Sequence, residues 1–123
     1  MSNKSVRILF AIWLLIITCL SLFPLKLKVH LGTVGPWHNT GHLLVFVLTT
    51  VLACWTVSGI YARLLCCIGV AGIAMTLEWL ETLRYHNPYE WRDVGSDTAG
   101  ILIGFLVMLL LPAGSSAGVK RAA

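Results

Sequence analysis

Residues 60–83 read IYARLLCCIGVAGIAMTLEWLETL, with no charge between Arg63 and Glu78. A helix that crosses a bilayer needs about 20 mostly apolar residues, and this run has that length. Composition extends the same reading to the rest of the chain. Of 123 residues only 11% are charged and 58% are hydrophobic, with a mean hydropathy of +0.86. Soluble domains carry about 25% charged residues, and one this small has too much surface to cover with so few. Disorder is excluded by the abundance of apolar side chains. The net charge of +4 comes from scattered basic residues that flank apolar runs, which fits topology and lipid contact and not a nucleic-acid-binding face. Cys19, Cys54, Cys66 and Cys67 all sit in apolar runs and read as small buried hydrophobes.

Three further spans are expected around the first, giving helices at about 6–24, 41–58, 60–83 and 88–111 within a single domain over 1–114. Val6 to Pro24 has a basic start in Lys4 and Arg7, but no A-x-A-like cleavage site follows, so an uncleaved helix is expected. Leu43 to Val57 is short, and counting back from Ser58 draws His42 into the interface. Thr98 to Leu111 is short too. Asn87 as N-cap, Pro88 at the first position and Glu90 at the third would start that helix earlier, as a capping-box variant. Pro112-Ala113-Gly114 would stop it, leaving 115–123 as a flexible tail. Leu25-Lys26-Leu27-Lys28-Val29-His30-Leu31 alternates with period two and predicts a short extended segment along the rim. Its basic side could attract an anionic headgroup. The fold class is therefore an all-α integral membrane bundle of four transmembrane helices, both termini on one side. Five Lys/Arg on the terminal side against four opposite favour cytoplasmic termini.

Alternating helix direction gathers the polar residues at one rim. His42 opens the second span, Glu78 and Glu81 close the third, and Asp93 and Asp97 open the fourth. Trp37, Trp79, Tyr85, Tyr89 and Trp91 form an aromatic belt on that side. Cys67, Ala71, Ala74, Glu78 and Glu81 share one helical stripe; Asp93, Asp97, Gly100 and Gly104 share another. Gly100-x-x-x-Gly104 is a small-x-x-x-small packing pattern, so both acidic stripes should face the bundle interior. Charges at such depth need partners, and Arg84, Arg92, His38 and His42 are available. His38 and His42, at i and i+4, have a spacing that can share one divalent metal, although Gly41 weakens a helix there; hydrogen-bonded rings are the commoner outcome. No cofactor is otherwise expected. The chain has no nucleophile elbow, P-loop or dinucleotide fingerprint.

His42-Leu43-Leu44-Val45-Phe46, Leu77-Glu78-Trp79-Leu80-Glu81 and Asp93-Val94-Gly95-Ser96-Asp97-Thr98-Ala99-Gly100 with Gly104 resemble the three motif segments of the VanZ-like family, over about residues 36–106. That family comprises small multi-pass proteins of the bacterial envelope, and its name-giving member is linked to resistance to the glycopeptide teicoplanin. Where the family has an Asp-Lys pair, a Gln and an Asn, this chain has His38-Asn39, Glu81 and Asp97, which makes its rim more acidic. The resemblance implies a protein of the bacterial cytoplasmic membrane. The leading expectation is a pocket of His42, Glu78, Glu81, Arg92, Asp93 and Asp97 that binds a lipid or lipid-linked cell-wall precursor headgroup, with Arg84 and Arg92 as anion contacts. Two alternatives stay open. One is a membrane hydrolase or transferase with a carboxylate base and a divalent ion held by His38, His42 and the acids. The other is a small proton-coupled carrier.

Overall fold

The computed structural model describes residues 3–32 and 35–111, and all their regular structure is helical. The elements are α1 (Asn3–Ser21), α2 (Leu25–His30), α3 (His38–Trp55), α4 (Ile60–Tyr85) and α5 (Trp91–Leu110). All but α2 are long and apolar enough to cross a membrane, so the chain is a multi-pass membrane protein. The expected stop at Pro112–Gly114 and the tail over 115–123 lie outside the described residues.

Packing centres on α3 and α5, the most closely associated pair. A Cβ at Gly100 would lie 2.5 Å from the Leu43 carbonyl oxygen, and one at Gly104 would lie 2.8 Å from that of Val47. Only glycine permits backbones this close, as the small-x-x-x-small pattern requires. Phe46, Ala53, Val70, Ala74 and Ile101 fill the core between α3, α4 and α5. α1 is fastened to α3 by the Trp13 indole N–H, which donates to Thr49 Oγ1 at 2.9 Å. Away from the rim, Arg63 Nη1 donates to the Met108 carbonyl at 2.9 Å and caps the end of α5. The outer faces carry exposed Ile8, Leu15, Leu65, Ile68 and Leu106, a surface suited to lipid. Cys19 is also exposed there, which corrects its reading as a buried residue; Cys54 is buried.

Three local expectations are corrected. Residues 25–30 are helical, not extended: Lys28 N–H bonds to the Pro24 carbonyl and Leu31 N–H to that of Leu27. An isolated strand at a membrane rim leaves its backbone groups without partners, whereas a short helix pairs some of them internally. The second span begins at His38, three residues earlier than expected, and runs through Gly41, whose N–H bonds to the Trp37 carbonyl. The last span begins at Trp91, and Asn87 provides no cap. Glu90 is its extended N-cap, with φ −93° and ψ 92° and no side-chain capping bond. α4 instead persists to Tyr85 and stops with His86 in the left-handed region, φ 54°. Pro88 disfavours a helical conformation at Asn87, so residues 86–90 form the crossing between the two helices.

Candidate functional site

α3 and α5 both begin at the same rim, and each presents two polar residues one turn apart on the face turned to the other. His38 Nε2–H donates to Asp93 Oδ2 at 3.0 Å, and His42 Nδ1–H donates to Asp97 Oδ1 at 2.8 Å. His42 Nε2 lies 3.8 Å from Asp93 Oδ2. The imidazole centroids are 4.6 Å apart, tilted by 59°. Asp93 and Asp97 are only 4% and 3% exposed, and Asp93 Oδ1 is buried without a hydrogen-bond partner.

The C-terminal end of α4 supplies the other two acids, each held by donors. Glu78, which is buried, accepts the backbone N–H of Glu90 at 2.9 Å. Glu81 accepts the Ser21 hydroxyl and pairs with Lys28 Nζ at 3.0 Å. One turn further on, the Tyr85 hydroxyl lies 2.7 and 2.6 Å from the Leu22 and Phe23 carbonyls, tying the end of α1 to α4.

No family model, curated protein or solved structure matches this chain. Its chemistry is therefore argued from this geometry.

Two cavities open at the rim among the described residues. One, of about 460 Å³, is the more polar of the two, with a wall of mixed character, and is lined by Lys28, His38, Asn39, Glu78, Glu81, Arg92 and Asp93, among others. Its neighbour, of about 360 Å³, runs between α1, α3 and α4 past Ile17, Leu20, Val45, Phe46 and Leu77. Lys28, His38 and Glu81 line both, so the polar chamber adjoins an apolar one across these three side chains.

Of the expected pocket residues, Glu78, Glu81, Arg92 and Asp93 line the polar cavity, and His42 lines the apolar one. Asp97 lies deeper and meets His42 without lining either cavity. Arg84 is not brought to the site: its guanidinium lies outside, 5.8 Å from the Tyr85 ring centre. Asp93 and Asp97 are thus met by His38 and His42, two of the four expected partners, and Glu81 by Lys28, which was not among them. Lys28 joins the site because α2 is helical, so residues two apart point to opposite sides. Its side chain turns inward, 14% exposed, while Lys26 and His30 face out. Tyr85 continues the four-and-three spacing of Ala74, Glu78 and Glu81, and that periodicity is the signal that marks it as a site residue.

Proposed function

We propose that the chain is a VanZ-like protein of the bacterial cytoplasmic membrane that binds an amphiphile, a membrane lipid or lipid-linked cell-wall precursor. Its headgroup occupies the polar cavity and its chain the apolar one. The observation that carries this reading is the pair of adjoining cavities, one polar and one apolar, that share Lys28, His38 and Glu81. A soluble metabolite has no use for the second chamber, whereas an acyl or isoprenoid chain needs it. Exposed Trp37, Trp79 and Trp91 agree with a headgroup-level position for this rim. Carboxylates outnumber cations in the polar chamber, with Glu78, Glu81, Glu90 and Asp93 against Lys28 and Arg92. That balance favours a headgroup bearing a cationic group, or an anionic one that arrives with a divalent cation.

Native mass spectrometry of the protein extracted in mild detergent tests the reading. Wild-type protein should retain a lipid-class adduct. Glu81→Gln should weaken retention at the headgroup, and Leu77→Trp should block the chain. In a glycopeptide-challenged host, Glu78→Ala and Asp93→Ala should differ from wild type in sensitivity. Equal lipid retention by equally inserted forms counts against amphiphile binding.

A further inference from the structure

We infer that His38, His42 and Asp93 form a binding site for one divalent transition-metal ion of the zinc type, with Asp97 as the group that orients His42. One nitrogen from each ring and one Asp93 oxygen lie within 4.8 Å of one another. A tetrahedral ion with bonds of about 2.0–2.2 Å sets its ligand atoms roughly 3.3–3.5 Å apart. The two separations to Asp93 Oδ2, 3.0 Å from His38 Nε2 and 3.8 Å from His42 Nε2, bracket that spacing. The third separation, between the two imidazole nitrogens, is at most 4.8 Å, and a rotation of the rings toward each other by about an ångström would seat the ion.

Two further features point to a ligand here. A bond from His42 Nδ1–H to Asp97 leaves Nε2, 3.8 Å from Asp93 Oδ2, as the ring nitrogen that can take an ion. Carboxylate–histidine pairs of this kind stand behind metal-ligating imidazoles. Asp93 is 4% exposed, yet its Oδ1 has no hydrogen-bond partner. A buried, unpaired carboxylate oxygen is costly in a membrane site, and a cation beside it removes that cost.

Two nitrogens and one carboxylate suit Zn²⁺ or Co²⁺, whereas Mg²⁺ and Ca²⁺ prefer all-oxygen shells. Three protein ligands leave a coordination position open. His38 and Asp93 both line the polar cavity, so that position faces the chamber. The ion also offsets the excess of carboxylates there. The inference is independent of the amphiphile reading, because the ligands are complete without a lipid.

The test uses tag-free, chelator-treated protein in lipid nanodiscs, titrated with Co²⁺. One Co²⁺ per chain should bind, with the visible absorption of a four- or five-coordinate site, displaced by Zn²⁺ and not by Mg²⁺. His42→Ala should abolish this spectrum. Asp97→Asn should keep the stoichiometry and weaken affinity by about 10–100-fold. Zn²⁺ should also raise the thermal midpoint of the wild-type protein, a readout that needs no variant. Helical wild-type protein that takes up no stoichiometric Co²⁺ overturns the inference, as does uptake undiminished in the doubly substituted His38→Ala, His42→Ala protein. Lipid retention measured on the same samples reports separately on amphiphile binding.

Discussion

Replacing Gly100 by alanine should pry α5 from α3 and loosen the polar rim with it. The added Cβ would meet the Leu43 carbonyl oxygen at 2.5 Å, with Phe46 Cβ and Val47 N at 3.1 Å. Two of these three atoms are helix backbone and cannot turn aside. Opening the gap from 2.5 Å to the 3.4 Å of ordinary contact moves one helix by about 0.9 Å. Overpacking of this kind costs about 1–3 kcal/mol, and a backbone clash belongs at the upper end. Alanine recovers about 1 kcal/mol of helix propensity. The net loss is about 2 kcal/mol, roughly a 30-fold fall in the folded-to-unfolded ratio. Gly72→Ala in α4 is the control, because a Cβ there meets nothing within 4 Å and only the propensity gain remains. Reversible unfolding in mixed micelles, followed by tryptophan fluorescence, should rank Gly72→Ala at or above wild type and Gly100→Ala below it. A 0.9 Å shift would also stretch the 2.8 Å bond between His42 and Asp97 beyond hydrogen-bond range, so Co²⁺ affinity should fall in the same variant. Should Gly100→Ala prove as stable as Gly72→Ala, the close approach of α3 and α5 would be refuted as the organising contact.

Two smaller perturbations probe the ties that hold α1 in place. Trp13→Phe removes the indole donor to Thr49, whose hydroxyl keeps its own bond to the Val45 carbonyl; the same unfolding assay should show a loss of about 0.6 kcal/mol, the average for such bonds within a bilayer. Tyr85→Phe removes the hydroxyl shared by the Leu22 and Phe23 carbonyls; a loss of about 1 kcal/mol is expected, with faster hydrogen exchange confined to residues 22–31, and uniform acceleration along α1 would contradict a local tie.

The four spans could be read from the sequence because lipid imposes a length and a composition on every crossing helix. Their ends were harder. The alternation of Leu25, Lys26, Leu27 and Lys28 has the period of a strand, but a strand needs a neighbour to bond with, and its periodicity carries no information about whether one exists. The start at Asn87-Pro88 was locally sound, yet the crossing from α4 to α5 consumed those residues and gave the Glu90 N–H to Glu78. Convergence of His42, Glu78, Asp93 and Asp97 followed from helix parity alone. Their partners did not, since pairing depends on the register of one helix against another. Arginines and histidines were equally available by charge, and the register of α3 against α5 gives the aspartates to His38 and His42.

That register has a physical origin. α3 and α5 run parallel, and both histidine–aspartate pairs span the same sequence separation of 55 residues. Gly100 against Leu43 and Gly104 against Val47 hold nearly the same offset further down, so one seam sets both the packing and the polar ladder. Parallel helices also bring two N-termini to the rim, where partial positive charge favours Asp93 in the first turn of α5. Glu78 and Glu81 sit toward the opposite kind of end, the C-terminal part of α4, where the dipole opposes a negative charge. The donors follow that difference. The aspartates near helix starts are met by histidine rings, whereas Glu78 takes a backbone N–H and Glu81 takes both a hydroxyl and an ammonium group. Lys28 is thus the cation that meets Glu81 at this rim, and the helical turn of α2 is what carries it there.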